Sequence, residues 1–246
     1  MNLANKTILI TGANRGIGRA LVDEALRRGA KRVYAGTRSA LQHVDKRVTP
    51  LTLDVTSASQ IRRAAEEVDN LDILINNAGV AIYDDLSNSD AIEQHLAVNL
   101  LGSFKVTQAF LPLLRRSKGA IVNNLSLSAL APLSVIPAYS ISKAAAFSMT
   151  QSLRALLAGQ GVTVHAVFLG PIDTDMNRGF EIPKASPESA ALGIFDGLEK
   201  GEEDIFPDPA SQPMAEGWRT GVAKELERQY TAFVPKERSE SAANLK

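Results

Sequence analysis

A tyrosine and a lysine stand four residues apart in the segment Tyr139-Ser-Ile-Ser-Lys143. On a helix, side chains at i and i+4 share one face with their Cβ atoms about 5–6 Å apart, so Lys143 can hold its charge beside the Tyr139 ring. A free phenol has a pKa near about 10 and exchanges protons poorly at neutral pH, and a neighbouring cation lowers that pKa. The pair is therefore a candidate acid and base. Because the spacing is common by chance, an ordinary exposed helix pair is the alternative.

The glycine-rich segment Thr11-Gly-Ala-Asn-Arg-Gly-Ile-Gly18 follows a short β-branched apolar run and opens a predicted helix. At such a turn, missing Cβ atoms let the backbone approach a pyrophosphate, and the helix N-terminus presents unpaired N–H groups to its charge. The Gly-x-x-x-Gly-x-Gly spacing differs from the general Gly-x-Gly-x-x-Gly dinucleotide fingerprint. The segment predicts a dinucleotide-binding loop, with a simple tight turn as the alternative.

Short apolar runs alternate with helical stretches along the chain. The predicted strands are Thr7 to Thr11, Arg32 to Gly36, Val48 to Asp54, Leu71 to Asn76, Ala120 to Leu125 and Thr163 to Phe168. The predicted helices are Gly16 to Arg28, Ser57 to Val68, Asp90 to Arg116 and a segment through Tyr139 that stops at Gly161. Strands separated by helices pair in parallel, which predicts an α/β fold: a doubly wound, Rossmann-like three-layer sandwich forming a single domain over residues 1–246.

Three connections depart from regular alternation. Between Arg38 and Val48 the chain is too short for a full crossover helix, so we expect a degenerate one. Scattered Pro and Gly from Asp173 to Pro213 predict a mobile substrate-covering region. The polar stretch from Lys236 to Lys246 predicts a flexible tail.

Composition excludes several classes of protein. The 246 residues are 45% hydrophobic, carry no net formal charge and include no cysteine. Disulfides and thiol chemistry are thereby excluded, and neither a nucleic-acid footprint nor a basic membrane patch is indicated. The histidines His43, His95 and His165 lack ligand spacing, so we expect surface or packing roles and no metal. With no charged and apolar leader, and no apolar run approaching about 18 residues, we expect a cytoplasmic protein.

Six motifs, taken in order, resemble the short-chain dehydrogenase/reductase family, in its single-domain Tyr-x-x-x-Lys branch. They are the glycine loop, Asp54-Val55, Asn76-Asn77-Ala78-Gly79, Asn99 within Val98-Asn-Leu-Leu-Gly102, Ser126 followed 13 residues later by Tyr139 and Lys143, and Gly170-Pro-Ile-Asp-Thr174. Two departures stand out. Leu169 replaces a common proline, which would loosen the loop beside the nicotinamide, and Asn124-Leu125 replaces a more apolar or serine-rich stretch.

The resemblance implies a catalytic set of Asn99, Ser126, Tyr139 and Lys143. Tyr139 would exchange a proton with the carbonyl oxygen, and Lys143 would lower the phenol pKa together with the oxidised nicotinamide and hold its ribose. Ser126 would hydrogen-bond the carbonyl oxygen, with Ser128 left as the other possible serine. Asn99 would open its helix for a water that relays protons to Lys143.

The predicted cofactor is NADP(H). Arg15 lies in the glycine loop, and Arg38 follows the second strand, where an NAD-selective protein would carry an acidic residue. Arginine binds phosphate bidentately, which favours a 2′-phosphate; the alternative is that either arginine only lies at the solvated rim. By resemblance, Asp54 and Val55 contact the adenine, although capping of the Ser57 helix is the alternative for Asp54. The full predicted cofactor set is Gly12, Asn14, Arg15, Gly16, Ile17, Gly18, Thr37, Arg38, Asp54, Val55, Asn77, Ala78, Gly79, Tyr139, Lys143, Gly170, Ile172 and Thr174.

The sequence therefore predicts an NADP(H)-dependent carbonyl reductase or alcohol dehydrogenase acting on a small carbonyl or alcohol, without nucleic-acid or membrane partners. A non-catalytic NADP(H)-binding regulator or scaffold is the alternative. Related enzymes pair through two long helices, which here carry Phe104, Phe110, Phe147 and Leu153, so we expect a homodimer or homotetramer. The alternative is that these side chains face the sheet.

Overall fold

A seven-stranded parallel sheet forms the centre of the computed structural model, which describes residues 1–39 and 41–234. The predicted tail from Lys236 to Lys246 lies outside the described residues. The strands are β1 (Thr7–Thr11), β2 (Arg32–Thr37), β3 (Val48–Thr52), β4 (Ile73–Asn76), β5 (Ala120–Asn124), β6 (Thr163–Val167) and β7 (Asp204–Ile205), in the order β3-β2-β1-β4-β5-β6-β7. The order reverses between β1 and β4, and ligands of such sheets bind at the carboxyl ends of the strands beside that reversal.

Helices cover both faces of the sheet. They are α1 (Gly16–Arg27), α2 (Ala58–Glu67), α3 (Asp90–His95), α4 (Ser103–Ser117), α5 (Pro137–Leu157), α6 (Pro187–Lys200), α7 (Ala215–Arg219) and α8 (Val222–Thr231). Ile8 and Ile10 of β1 pack beneath α1 and α6, whereas Leu9 faces α4 and α5. Because both faces are buried, the strand reads as an uninterrupted apolar run. The doubly wound, Rossmann-like single-domain architecture is as predicted.

Most element boundaries agree with the predicted ones to within two residues. The predicted helix Asp90 to Arg116 is interrupted by a π-helical turn at Leu96–Gly102. Among the described residues, no helix joins β2 to β3, as expected from the short connection. Pro50 is accommodated in β3 because this strand lies at the edge of the sheet, where a missing N–H leaves no partner unpaired.

The prediction of a mobile substrate-covering region from Asp173 to Pro213 is wrong for the residues of α6 and β7. Residues 187–200 form α6, whose Ile194 and Phe195 are completely buried against the α1 side of the sheet, and β7 extends the sheet itself. Pro187 occupies the first turn of α6 and Gly201 ends it in a left-handed conformation, so these residues mark helix ends. Residues 173–186 remain as the segment that follows β6 into the cleft.

Three of the four apolar residues expected on the pairing helices face inward. Phe110, Phe147 and Leu153 are buried, whereas Phe104 is 41% exposed. The inward alternative therefore applies to all but Phe104. Leu101 beside it, and Ile141 and Leu156 on α5, are also exposed.

The helical run Asp90–Ser117 is long and apolar enough, by composition, to cross a membrane, with a mean hydropathy of 1.2 over its best window. The expectation that no apolar stretch approaches this length is thus corrected. Val106, Phe110 and Leu114 of this run are completely buried against the sheet, as in a core helix.

Candidate active site

Helix α5 begins at the cleft and brings Tyr139 and Lys143 to its buried face. Pro137 at the first turn presets the backbone for a helix and needs no hydrogen-bond acceptor. The Asp84 carboxylate, from the loop after β4, accepts from the free N–H of Ala138 at 3.2 Å. A carboxylate at a helix N-terminus is favourable because it faces the positive end of the helix dipole. Helix α5 is therefore fixed at the residue next to Tyr139.

The Lys143 ammonium lies inside the protein and donates to the backbone oxygen of Asn124, at the end of β5, over 2.7 Å. Its Nζ is 5.6 Å from the centre of the Tyr139 ring. Burial penalises the charged form and lowers the pKa of Lys143 to about 8. A small change in surroundings can thus change the charge of this group near neutral pH.

The Tyr139 phenol is only 9% exposed. Burial raises its pKa to about 12, against a smaller lowering from a hydrogen bond with Ser126. The pKa is therefore raised in the protein itself, and the lowering expected from Lys143 together with the oxidised nicotinamide stays a prediction. At neutral pH the phenol is protonated, which is the form required of a proton donor.

Of the two serines, Ser126 is the one that lowers the pKa of Tyr139. Its Oγ accepts from the Ser128 N–H at 3.1 Å and from the Ser128 hydroxyl at 3.0 Å. Ser128 therefore orients the Ser126 hydroxyl through two hydrogen bonds. The roles themselves stay predictions.

Asn99 lies at the centre of the π-helical turn. Its side-chain oxygen accepts from the Val80 N–H at 2.9 Å, and its amide donates to the Val80 oxygen at 3.0 Å and to the Ser142 hydroxyl at 2.9 Å. The widened helix matches the expected opening of the backbone, and such turns recur at functional sites. Asn99 therefore joins the loop after β4 to α5. Gly79 lies close to both Asn99 and Lys143: a Cβ on Gly79 would lie 3.3 Å from Asn99 Oδ1 and 3.9 Å from Lys143 Nζ.

The three glycine positions of the glycine loop leave no room for a side chain. Gly12 and Gly16 have φ of 66° and 51°, which favours glycine, and a Cβ on Gly18 would lie 2.0 Å from the Gly12 oxygen. A Cβ on Gly12 would lie 3.0 Å from the Ala78 Cα. The Asn77 amide donates to the Thr11 oxygen at 3.0 Å and holds the loop against β4. This close-packed turn at the start of α1 fits a dinucleotide pyrophosphate. Asn14 is exposed and Ile17 packs partly into the core.

On the side predicted for the adenosine, Asp54 accepts from the N–H and hydroxyl of Thr56 at 2.8 and 2.7 Å. These bonds, assisted by the Arg38 charge, hold the pKa of Asp54 below its usual range. The cap of α2 is Ser57, not Asp54. The Thr37 hydroxyl donates to the Ser39 oxygen.

Val55 packs against Gly102 of the π-helical turn: a Cβ on Gly102 would lie 2.7 Å from Val55 Cγ2. Arg38 is exposed and its charge acts on Asp54, whereas the contacts of Asp54 and Val55 with an adenine stay predictions.

On the side predicted for the nicotinamide, the Gly170 N–H donates to the buried Asp208 carboxylate at 2.9 Å. The loosening expected from Leu169 is therefore wrong, because Asp208 anchors the loop. Ile172 is buried, and Thr174 reaches the glycine loop: a Cβ on Gly16 would lie 3.0 Å from its Cγ2.

Two side chains at the site were not recognised as site residues in the sequence. Asp208 was missed because an isolated Asp-Pro pair gives no signal for its long-range partner. His95 is completely buried with its ring 6.0 Å from the Tyr139 ring. Its Nε2 accepts from the Ile82 N–H at 3.0 Å, so Nδ1 carries the proton that it donates to the Ala91 oxygen at 2.6 Å. This is the packing role expected of a lone histidine, and it ties the loop after β4 to Tyr139.

Comparisons with known proteins agree with this geometry. The sequence profile of the short chain dehydrogenase family matches residues 6–184. The chain is 33% identical over 209 residues to 2,3-dihydro-2,3-dihydroxybenzoate dehydrogenase of Escherichia coli, covering 82% of this chain and 83% of that protein. It is 34% identical over 188 residues to estradiol 17-beta-dehydrogenase 2 of Rattus norvegicus, covering 70% of this chain but only 49% of the rat protein. It therefore spans about half the length of some of the curated relatives it matches.

A crystal structure of a short chain dehydrogenase from Burkholderia cenocepacia in complex with NADP superposes with a TM-score of 0.85. The sequences are 34% identical, and the match covers 96% of this chain and all of that one (100%). The chain belongs to the short-chain dehydrogenase/reductase family of oxidoreductases.

The buried ammonium predicts a distinct dependence of stability on pH. Since the folded-state pKa of Lys143, about 8, lies below its ordinary value of 10.5, the unfolded chain binds more protons between these values. The free energy of unfolding contributed by Lys143 should therefore rise with pH across this window, until the raised pKa of Tyr139 opposes it above about pH 10. Urea unfolding from about pH 7 to about pH 10 should give a smaller rise for Lys143→Met than for the parent. Parallel curves for the two proteins would contradict the assignment.

Proposed function

We propose that the protein is an NADP(H)-dependent carbonyl reductase or alcohol dehydrogenase. The observation that carries this proposal is the meeting of Tyr139, Ser126 and Lys143 in one cleft at the carboxyl ends of the strands. A phenol that stays protonated at neutral pH, next to a second hydroxyl, suits the polarisation and protonation of a carbonyl oxygen.

In the reductive direction, the Tyr139 hydroxyl donates its proton to the carbonyl oxygen, and the Ser126 hydroxyl donates a hydrogen bond to the same oxygen. When bound, the nicotinamide supplies the hydride to the carbonyl carbon. Lys143, held by Asn124, keeps a positive charge beside the phenol and lowers the free energy of the phenolate that remains. In the oxidative direction, Tyr139 would have to be in its phenolate form to accept the proton of the alcohol, with the hydride passing to the oxidised nicotinamide when that is bound.

For the cofactor, the proposal is NADP(H). Arg15 and Arg38 are both exposed at the cleft, where a guanidinium can bind a 2′-phosphate. The related Burkholderia protein was crystallised with NADP.

A regulator or scaffold of the same fold is the weaker alternative. Binding of a dinucleotide requires the glycine loop, but it does not require a buried phenol whose pKa is influenced by a serine hydroxyl. Burial of an ammonium costs free energy that hydrogen bonds must offset. A catalytic role for Lys143 accounts for its burial at this cost.

Replacement of the two central side chains tests the mechanism. Tyr139→Phe keeps the ring but removes the proton donor, so NADPH-dependent reduction should fall at least about 100-fold with little change in NADPH affinity. Lys143→Ala should reduce both turnover and affinity. Reduction is measured by NADPH absorbance on an active substrate from a screen of aldehydes, aryl ketones, diketones and quinones. Turnover close to that of the parent in Tyr139→Phe would reject the mechanism.

For the substrate, we propose a flat, apolar carbonyl compound. Large apolar side chains surround the cleft on loops after β4, β5 and β6, with exposed fractions between 38% and 63%. They are Ile82, Tyr83, Leu86, Leu133, Val135, Met176 and Ile182. The Tyr83 ring stacks on Phe180 with centroids 5.6 Å apart and an interplanar angle of 22°, which joins the loop after β4 to the segment after β6. Aromatic faces of this kind favour an aryl group by stacking.

The aromatic pair predicts discrimination between substrates. Tyr83→Ala should raise KM for an aryl ketone by roughly two- to ten-fold, the size of one aromatic contact, while KM for a short aliphatic aldehyde changes little. Tyr230→Ala is the matched control, because Tyr230 of α8 is similarly exposed and packs against a phenylalanine of its own, Phe233. An equal change for both substrates would count against an aryl-binding role.

We also propose a cytoplasmic homodimer or homotetramer. The exposed residues Leu101 and Phe104 precede and open α4, and Ile141 and Leu156 lie on α5, so these helices offer an apolar surface to a second copy. Light scattering at micromolar concentration should give a multiple of the mass of the chain, and Phe104→Glu should shift the equilibrium towards monomer because it places a charge in that surface. Leu192→Glu on α6, similarly exposed, serves as the control. A monomeric parent would refute the proposal.

A further inference from the structure

A single carboxylate joins the glycine loop to the segment after β6. Asp175 Oδ2 accepts from Arg15 Nη1 at 2.8 Å, and Asp175 Oδ1 accepts from Arg178. The Arg15, Asp175 and Arg178 side chains are 67%, 44% and 80% exposed. Arg15, one of the two candidate ligands of a 2′-phosphate, is therefore already engaged by an acidic partner.

The contact bridges the opening of the cofactor cleft. Arg15 is the residue before α1. Asp175 follows Thr174, whose Cγ2 would lie 3.0 Å from a Cβ placed on Gly16. The ion pair thus connects the loop after β1 to the segment after β6, next to the helix N-terminus that faces a dinucleotide phosphate. The Asp175 carboxylate therefore binds the same guanidinium that a phosphate would bind, and both anions would face the positive end of the α1 dipole.

We propose that Asp175 is a specificity-determining residue for the cofactor: it competes for Arg15 and weakens the preference for NADPH over NADH. The proposal rests on the NADP(H) function proposed above. A 2′-phosphate must share or displace the Asp175 contact to gain Arg15, and it also meets the negative charge of the carboxylate. NADH carries no 2′-phosphate, so its affinity depends less on this competition.

Asp175→Asn is the direct test, since it removes the charge and keeps the shape. The dissociation constant for NADPH, measured by fluorescence titration, should fall by roughly two- to five-fold, the range for an exposed ion pair, with a smaller change for NADH. The gain should shrink in about 1 M salt, where the Debye length is near 3 Å. Asp173→Asn is the matched control: Asp173 is exposed in the same segment, and its carboxylate makes no ion pair among the described residues.

A second variant separates competition for Arg15 from a general charge effect. In an Arg15→Gln background, Asp175→Asn should no longer change the ratio of the NADPH and NADH dissociation constants. A selective gain that persists without Arg15, an equal gain from Asp173→Asn, or weaker NADPH binding in Asp175→Asn would each overturn the proposal.

The parent protein distinguishes this inference from the function on which it rests. If the parent binds neither dinucleotide, or binds NADPH and NADH with equal dissociation constants, the NADP(H) proposal itself is wrong. If the parent prefers NADPH and Arg38→Asp removes that preference, but Asp175→Asn leaves it unchanged, only the role of Asp175 fails.

Discussion

Burial of one ammonium group governs the arrangement of the cleft. Lys143 gives up hydration and receives the Asn124 carbonyl in exchange, and its lowered pKa indicates that the exchange is incomplete. The end of β5 and the start of α5 must both be fixed for that bond to form, and the Asp84 carboxylate at Ala138 fixes the helix. Gly79 adds a further condition, since a Cβ there would lie 3.3 Å from Asn99 Oδ1, a tight contact, and 3.9 Å from the ammonium. The position of the phenol follows from these constraints on its neighbour.

Asparagine amides connect the loops that surround this ammonium. An amide donates and accepts, so each can link two segments of backbone. Asn99 binds the loop after β4 to α5, and Asn77 binds that loop to the glycine loop. Asn124 adds a third link, because its amide donates to the side-chain Oδ1 of Asn77 at 2.9 Å. The Oδ1 of Asn124 is itself buried with no partner among the described residues. The departure from an apolar residue at this position therefore has a structural role, since it joins β5 to the loop at which the cofactor is proposed to bind.

The sequence predicted what depends on local pattern. The β1 run, the glycine loop and the Tyr139–Lys143 spacing carry their own periodicity, so the fold and the main site residues could be placed. The raised pKa of Tyr139 could not, because it depends on burial by distant segments. Nor could the partner of Arg15, which lies 160 residues away. The interpretation of α6 as covering loop arose because Pro and Gly were taken as loop residues where they mark the two ends of a helix.

The charged cluster around Asp204 affects how the chain reaches its folded state during synthesis. The Asp204 carboxylate, buried at the start of β7, lies 2.8 Å from donors of Arg154, Trp218 and Lys224. Arg154 belongs to α5, but the other two donors lie in α7 and α8 and leave the ribosome later. Trp218 also packs against Phe147, one turn beyond Lys143 on α5, with ring centres 5.6 Å apart. On a nascent chain, the sheet up to β6 can form while Asp204 and Arg154 still lack their remaining partners, so α5 acquires its final support only after residue 224 has been synthesised.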